Sequence, residues 1–219
     1  MKKILIRVIK KSPLILSLAK SIIANYRQLE SKFKWNALKK SMEIKLELGS
    51  GGRGGINGWT TVDNENSKIS SDIFWDLRKG IPLPDNSVHK IYSSHLLEHI
   101  PYNQLLIFLR ECRRVMKTDG KFLVCVPNFR LYVDAYVKGE NFKDRETWWK
   151  PGSVDTGSAM DQLNYAAYMQ DQHKYVFDEE NLINTLIKAG FSNAQLREFD
   201  STLDLKERDS ESIYAVALK

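Results

Sequence analysis

Apolar residues recur along this chain in two distinct rhythms. Leu14, Leu18, Ile22, Tyr26, Leu29 and Phe33 follow one another at spacings of three and four, which places them on one stripe of a helix, widened by Ile15, Ala19 and Ile23. Ser12 can cap that helix and Pro13 can take its first position, so the pair divides it from an earlier helical piece. Beyond residue 43 short apolar runs alternate with helical stretches. Ile44–Leu48, Trp59–Asp63, Asp72–Asp76, Ser87–Ser93 and Lys121–Val126 read as strands, the fourth preceded by the turn residues Pro84, Asp85 and Asn86 and the fifth stopped by Pro127. Leu105, Leu106, Leu109, Cys112, Val115 and Met116 carry the helical period, and residues 117–120 a turn. Asp178 is placed to cap a helix that buries Leu182, Ile183, Leu186 and Ile187 and stops at Gly190. Ala194–Phe199 and Ser212–Leu218 are closing strands whose short polar link suits an antiparallel pair. Residues 131–176 are polar and aromatic without a clean period, with one helix expected near 160–170.

Strands alternating with helices predict an α/β fold: a doubly wound, mostly parallel, seven-stranded sheet with an antiparallel C-terminal strand, Rossmann-like, plus an N-terminal helical arm. The expected division is an arm over 1–42 and a domain over 43–219, with an insertion at about 128–176. Charge sharpens this division. The arm holds eleven Lys or Arg against Glu30 alone and is +10, whereas the remainder is −4. A mildly acidic domain argues against a nucleic-acid groove, and any affinity for polyanions falls to the arm. Two readings of the arm stand: a helix packed on the domain or on a second copy, or a basic amphipathic helix on an anionic membrane surface. Ser12 to Ala19, the longest uncharged run of the arm, is too short to span a bilayer. Arg7, Lys10 and Lys11 interrupt the apolar stretch that a signal peptide would need. Cys112 and Cys125 sit in apolar stretches as buried free thiols, which fits a reducing cytoplasm, with the inner face of the plasma membrane as the site of peripheral contact.

The chemistry gathers at the predicted strand ends. Gly49-Ser50-Gly51-Gly52-Arg53-Gly54 fits G-x-G-x-x-G after a strand, where a side chain would keep the backbone from a nucleotide cofactor. Glu47 precedes it, Asp63 ends the second strand and Asp76 the third. Open α/β sheets bind ligands outside the carboxyl ends of their strands, and a carboxylate there can accept from ribose hydroxyls or an adenine amino group.

These segments resemble class I S-adenosylmethionine-dependent methyltransferases, and among them a small bacterial subgroup associated with surface-glycan synthesis. The resemblance rests on Leu46–Gly51, Thr61–Asp63, Asp76-Leu77, Ile81–Val88, Ser94–Pro101, Glu111–Gly120, His173–Leu182 and Ala189–Phe191, and covers about residues 43–219. It implies S-adenosylmethionine as cofactor. Gly49, Ser50 and Gly51 would lie along its methionyl and ribose parts, Glu47 would hold its amino end and Asp63 its ribose. Asp76 and the Leu77 backbone would meet the adenine, and Ser94 would floor the sulfonium. Only twelve residues separate Gly51 from Asp63, so the first helix of the family shrinks to a turn, and Arg53 is a candidate partner for the cofactor carboxylate.

His95-Leu-Leu-Glu98-His99 also matches H-x-x-E-H, an inverted zinc-protease signature, but it follows a nucleotide-fold strand. Some class I O-methyltransferases place an acid/acid/His metal cluster at this point. Here His95 replaces the first acid, so no metal is expected, and Glu98 with His99 is read as a structural hydrogen-bonded pair. The expected reaction is methyl transfer to a hydroxyl of a saccharide or lipid-linked glycan precursor. Candidate catalytic bases are His95, His173 and Asp134, and Tyr132, Tyr136, Trp148, Trp149, Tyr165 and Tyr168 suit either sugar stacking or a core. The expected partners are a small-molecule or glycan acceptor, no nucleic acid, the membrane surface and a second copy. Two alternatives remain: a nicotinamide-dependent oxidoreductase, which the absence of an evident Tyr-x-x-x-Lys pair disfavours, and a non-catalytic cofactor-binding module.

Overall fold

In the computed structural model the chain is described at residues 13–51, 55, 57–64, 71–143 and 155–219. Ser12, the earlier helical piece, Arg53, Trp148 and Trp149 lie outside the described residues. The sheet strands are β1 (Lys45–Leu48), β2 (Thr60–Asp63), β3 (Ile73–Phe74), β4 (Val88–Ser94), β5 (Met116–Pro127), β6 (Ser192–Leu196) and β7 (Ser212–Leu218). The helices are α1 (Pro13–Leu38), α2 (Tyr102–Val115), α3 (Phe129–Val137), α4 (Met160–Tyr168) and α5 (Glu179–Lys188).

The strands form one seven-stranded sheet in the order β3-β2-β1-β4-β5-β7-β6. The pairs β1–β2, β1–β4, β2–β3 and β4–β5 are parallel, and β7 alone runs against its neighbours β5 and β6. This is the expected doubly wound, mostly parallel sheet. The chain steps outward from β1 to β3, then returns to β4 on the other side of β1. That reversal opens a crevice at the carboxyl ends of β1 and β4, where such sheets bind ligands.

Side-chain alternation builds the core. Leu46 and Leu48 of β1 are buried between half-buried Lys45 and Glu47, and Val62, Ile91, Phe122, Val124 and Val126 continue the layer. Leu105, Phe108, Leu109, Cys112 and Val115 give α2 its buried face, and Leu182 with Leu186 gives α5 its own. Asp178 caps α5 as expected, accepting from the Asn181 amide at 2.8 Å.

Three boundaries move. Strand β3 shrinks to two residues because Asp72 turns its carboxylate to Thr61, accepting from its amide at 2.9 Å and its hydroxyl at 3.0 Å. Strand β5 starts at Met116: Val88 pairs with Met116 and Lys90 with Lys121, so the expected turn at 117–120 is a bulge within the strand. Strand β6 ends at Leu196, short of Phe199.

The arm docks on the β3 edge, but not by its apolar stripe. Trp35 is fully buried and packs edge-on against Trp75, with ring centroids 6.2 Å apart. Ser31 Oγ accepts from the Phe74 amide at 3.0 Å, which satisfies a donor that an outer strand would otherwise leave unpaired. Lys34 Nζ donates to the Asp72 carbonyl at 2.7 Å. The predicted stripe stays open: Leu18, Ile22, Tyr26, Leu29 and Phe33 are 55–69% exposed, and Ile22 and Tyr26 line a groove beside Ser71, Asp72 and Phe74. No helix among the described residues is long and apolar enough to cross a membrane.

Candidate active site

The crevice is a cleft of about 1170 Å³ lined by Gly49, Asp63, Asp76 and Leu77, with Leu96 and His99 on the β4 side. Gly49 has φ +72°, and a Cβ there would meet the Leu96 side chain at 2.8 Å. The turn therefore needs glycine both for its conformation and for space. Asp63, at the tip of β2, accepts from the Gly51 amide at 2.8 Å and so braces the glycine turn from the far strand. Asp76 caps the short helical turn Leu77–Lys79 and is gripped by Arg78, whose Nε and terminal nitrogen each donate at 2.9 Å. That guanidinium, above all, holds the Asp76 carboxyl below its ordinary value. Arg78 is largely exposed, so a ligand group can take its place at modest cost.

Glu47 is half-buried in β1, Ser50 and Gly51 form the turn and Ser94 is buried at the end of β4, but the cleft wall itself includes none of these four. Sequence reasoning missed the wall that α2 supplies through Gln104, Ile107, Phe108 and Arg110. Gln104 and Ile107, with Glu111 of the same wall, recur at spacings of three and four as a second stripe on α2, beside the buried one, and Ile107 is 67% exposed.

Beside the cleft a second group assembles. His95 follows β4 directly with φ +52°, a left-handed backbone uncommon for a non-glycine residue. Its Nε2 lies 2.9 Å from Ser212 Oγ and its Nδ1 3.6 Å from Glu98 Oε1. His99 Nε2 lies 3.9 Å from the same oxygen, and the His99 and His173 rings meet edge-on with centroids 5.0 Å apart. His95 and His173 are thus brought together. Asp134 instead pairs with Arg130 at 2.7 Å on the exposed side of α3.

Glu98 is not the hydrogen-bonded partner expected for His99. Its side chain is fully buried, and neither carboxylate oxygen meets a hydrogen-bond donor among the described residues. Its backbone does the bracing instead: the Glu98 carbonyl accepts from the amides of Lys174 at 2.7 Å and Tyr175 at 3.1 Å, pinning the returning insertion. Burial pushes the Glu98 carboxyl up to about 8 and His95 down to about 3, and it also lowers His173.

A parallel sheet with β7 inserted antiparallel, and a glycine turn facing Asp63 and Asp76 across one cleft, make a crevice of the kind in which open α/β sheets bind nucleotide ligands. Residues 64–124 match the family model described as a methyltransferase domain. An uncharacterised protein of Methanocaldococcus jannaschii is 35% identical over 74 residues, which is 34% of this chain and 30% of that protein. The chain thus spans under a third of that relative's length. A solved S-adenosylmethionine-dependent methyltransferase from Archaeoglobus fulgidus is 16% identical, covering 88% of this chain and 94% of its own at a TM-score of 0.49. Another from Mesorhizobium loti is 17% identical, covering 85% and 97% at 0.48.

Proposed function

We propose that this chain transfers a methyl group from S-adenosylmethionine to a hydroxyl of a saccharide or lipid-linked glycan precursor. The observation that carries the reading is the cleft in which Gly49, Asp63 and Asp76 face one another, with His99 in its wall and His173 packed edge-on behind that ring. When bound, the donor supplies an activated methyl on a sulfonium. Gly49, Ser50 and Gly51 present open backbone to it, Asp63 accepts from the ribose hydroxyls, and Asp76 releases Arg78 to accept from the adenine amino group. Glu47 holds the amino end. With the donor bound, the methyl would pass from sulfur to the acceptor oxygen, the sulfur keeping the electron pair of the broken bond, and His95 or His173 would take the hydroxyl proton. Holding the acceptor in line supplies most of the gain, and a positioned base adds roughly 10²–10⁴-fold. Burial keeps His95 and His173 neutral near pH 7, the state a proton acceptor requires.

The exposed stripe of α1 and the +10 charge of residues 1–42 support work at an anionic membrane surface, where a lipid-linked acceptor would sit. Titration calorimetry with S-adenosylmethionine and with nicotinamide cofactors tests the donor; binding of the nicotinamide alone overturns the reading. Turnover across saccharide and lipid-linked acceptors tests the acceptor class. Truncating the arm would strip Trp35 from the core, so the membrane test uses a triple L18S/Y26S/F33S variant. The unaltered protein should sediment with phosphatidylglycerol vesicles and not with phosphatidylcholine, and the variant should stay in the supernatant. Equal sedimentation of both proteins refutes the membrane role.

A further inference from the structure

Three of the four histidines in the chain converge on Glu98, the one buried carboxylate among the described residues whose oxygens lack a donor. Their hydrogen bonds assign the tautomers. His99 Nδ1 lies 3.1 Å from the Gln172 carbonyl and His173 Nδ1 2.7 Å from the Ala166 carbonyl. A carbonyl only accepts, so in the neutral ring each Nδ1 carries the proton and each Nε2 keeps the lone pair that a metal ion would use. Ser212 spends its hydroxyl proton on the Arg208 carbonyl at 2.7 Å, so at 2.9 Å it accepts from His95 Nε2, and His95 Nδ1 keeps its lone pair too. That lone pair faces Glu98 Oε1 at 3.6 Å. Acceptors therefore face one another with no donor between them. One proton on Glu98 would satisfy a single contact, whereas a cation held by Glu98, His99 and His173 would engage three acceptors at once. A buried carboxylate with neither costs several kcal/mol.

We propose that Glu98, His99 and His173 form a binding site for a divalent transition-metal ion of the zinc class. Their ligand atoms lie within 4.8 Å of one another. Bonds of about 2.1 Å place tetrahedral ligands about 3.4 Å apart, so the 3.9 Å between Glu98 Oε1 and His99 Nε2 must close by about half an ångström, and no pair in the group by more than about 1.4 Å. The outer partners have the form that metal-binding histidines use, each ring donating its other nitrogen to a backbone carbonyl. The ligand set is two imidazoles and one carboxylate, which leaves at least one position open. Two segments remote in sequence supply it, and the Glu98 carbonyl clamps them together through the Lys174 and Tyr175 amides. His99 also lines the donor cleft, so the open position borders the acceptor's approach. In terms of the methyltransfer reading, on which this clause alone rests, the ion would bind the acceptor hydroxyl and ease its deprotonation, making His173 a ligand rather than the base.

The test needs no turnover. The apo protein, prepared by chelation and dialysis, is titrated with zinc by calorimetry and with cobalt by visible absorption. The expected results are one ion per chain and the intense cobalt bands of a four- or five-coordinate site. E98Q and H173Q should each weaken zinc binding at least 100-fold while circular dichroism and melting confirm folding. H89Q, which alters the one histidine outside the group, should bind zinc as the parent does. Absence of a bound ion overturns the proposal, leaving Glu98 as a neutral acid, and so does undiminished binding in folded E98Q and H173Q. S-adenosylmethionine affinity, measured on the same samples, separates failure of this site from failure of the donor cleft.

Discussion

Asp63 carries two separable duties, and substitutions can pull them apart. Its carboxylate braces the glycine turn through the Gly51 amide, at 2.8 Å, and by the proposed function it also accepts from the donor's ribose hydroxyls. The substitution D63N would keep an acceptor oxygen for Gly51 but would present an amide donor to the ribose; D63A would lose both contacts. Hydrogen bonds to a charged group contribute about 1.5–3 kcal/mol each. Losing the ribose contact should therefore weaken donor binding roughly 10- to 150-fold, since each 1.4 kcal/mol is a factor of ten. D63N should show most of that loss with little change in melting temperature, and D63A should add a stability cost of about 1 kcal/mol from the unbraced turn. Calorimetry with S-adenosylhomocysteine and its 2′-deoxy analogue completes a double cycle. In the parent protein the missing hydroxyl should cost about tenfold or more; in D63N and D63A it should cost almost nothing further. A deoxy penalty that persists undiminished in both variants would show that Asp63 serves the turn only, and the nucleoside would have to lie elsewhere.

Two further outcomes follow from the packing. W35A should destabilise the protein by about 3–5 kcal/mol in a urea titration, because Trp35 is fully buried against Trp75; a loss under 1 kcal/mol would mean that α1 is not docked on the β3 edge. Glu111 accepts from Arg114 Nε at 2.7 Å and from the Ile81 amide at 2.8 Å, and the Arg114 hydrogen bonds above all hold its carboxyl below the ordinary value. A depressed folded pKa stabilises above the unfolded value near pH 4.5 and is lost as pH falls through the folded one. Stability of the parent should thus fall below about pH 5, and E111Q should show a shallower acid decline. Parallel curves would remove Glu111 from that account.

What the sequence revealed, and what it did not, divides by the range of the forces involved. That Asp63 and Asp76 would line one cleft was legible because each closes a short apolar run, and parallel strands bring such ends together. Asp178 was legible because a cap acts on its own next turn. The docking face of α1 was not. Periodicity in Leu18, Ile22, Tyr26, Leu29 and Phe33 reports that a face is apolar, not what covers it, and the β3 edge called instead for the Ser31 hydroxyl and the Trp35 ring. Among the candidate bases, Asp134 was judged by type and position alone, and its (i, i+4) partner Arg130 holds it in a surface pair. The histidine group was hardest to see, since His173 stands 74 residues from His99 and meets it only because the Glu98 carbonyl binds the Lys174 and Tyr175 amides. H-x-x-E-H, read alone, offered its own two histidines as the natural ligand pair. The fold keeps His99 and Glu98 but draws its second close imidazole from the returning insertion, turning His95 toward Ser212. Backbone hydrogen bonds between distant segments, which no local pattern encodes, therefore decide which of these side chains share a site.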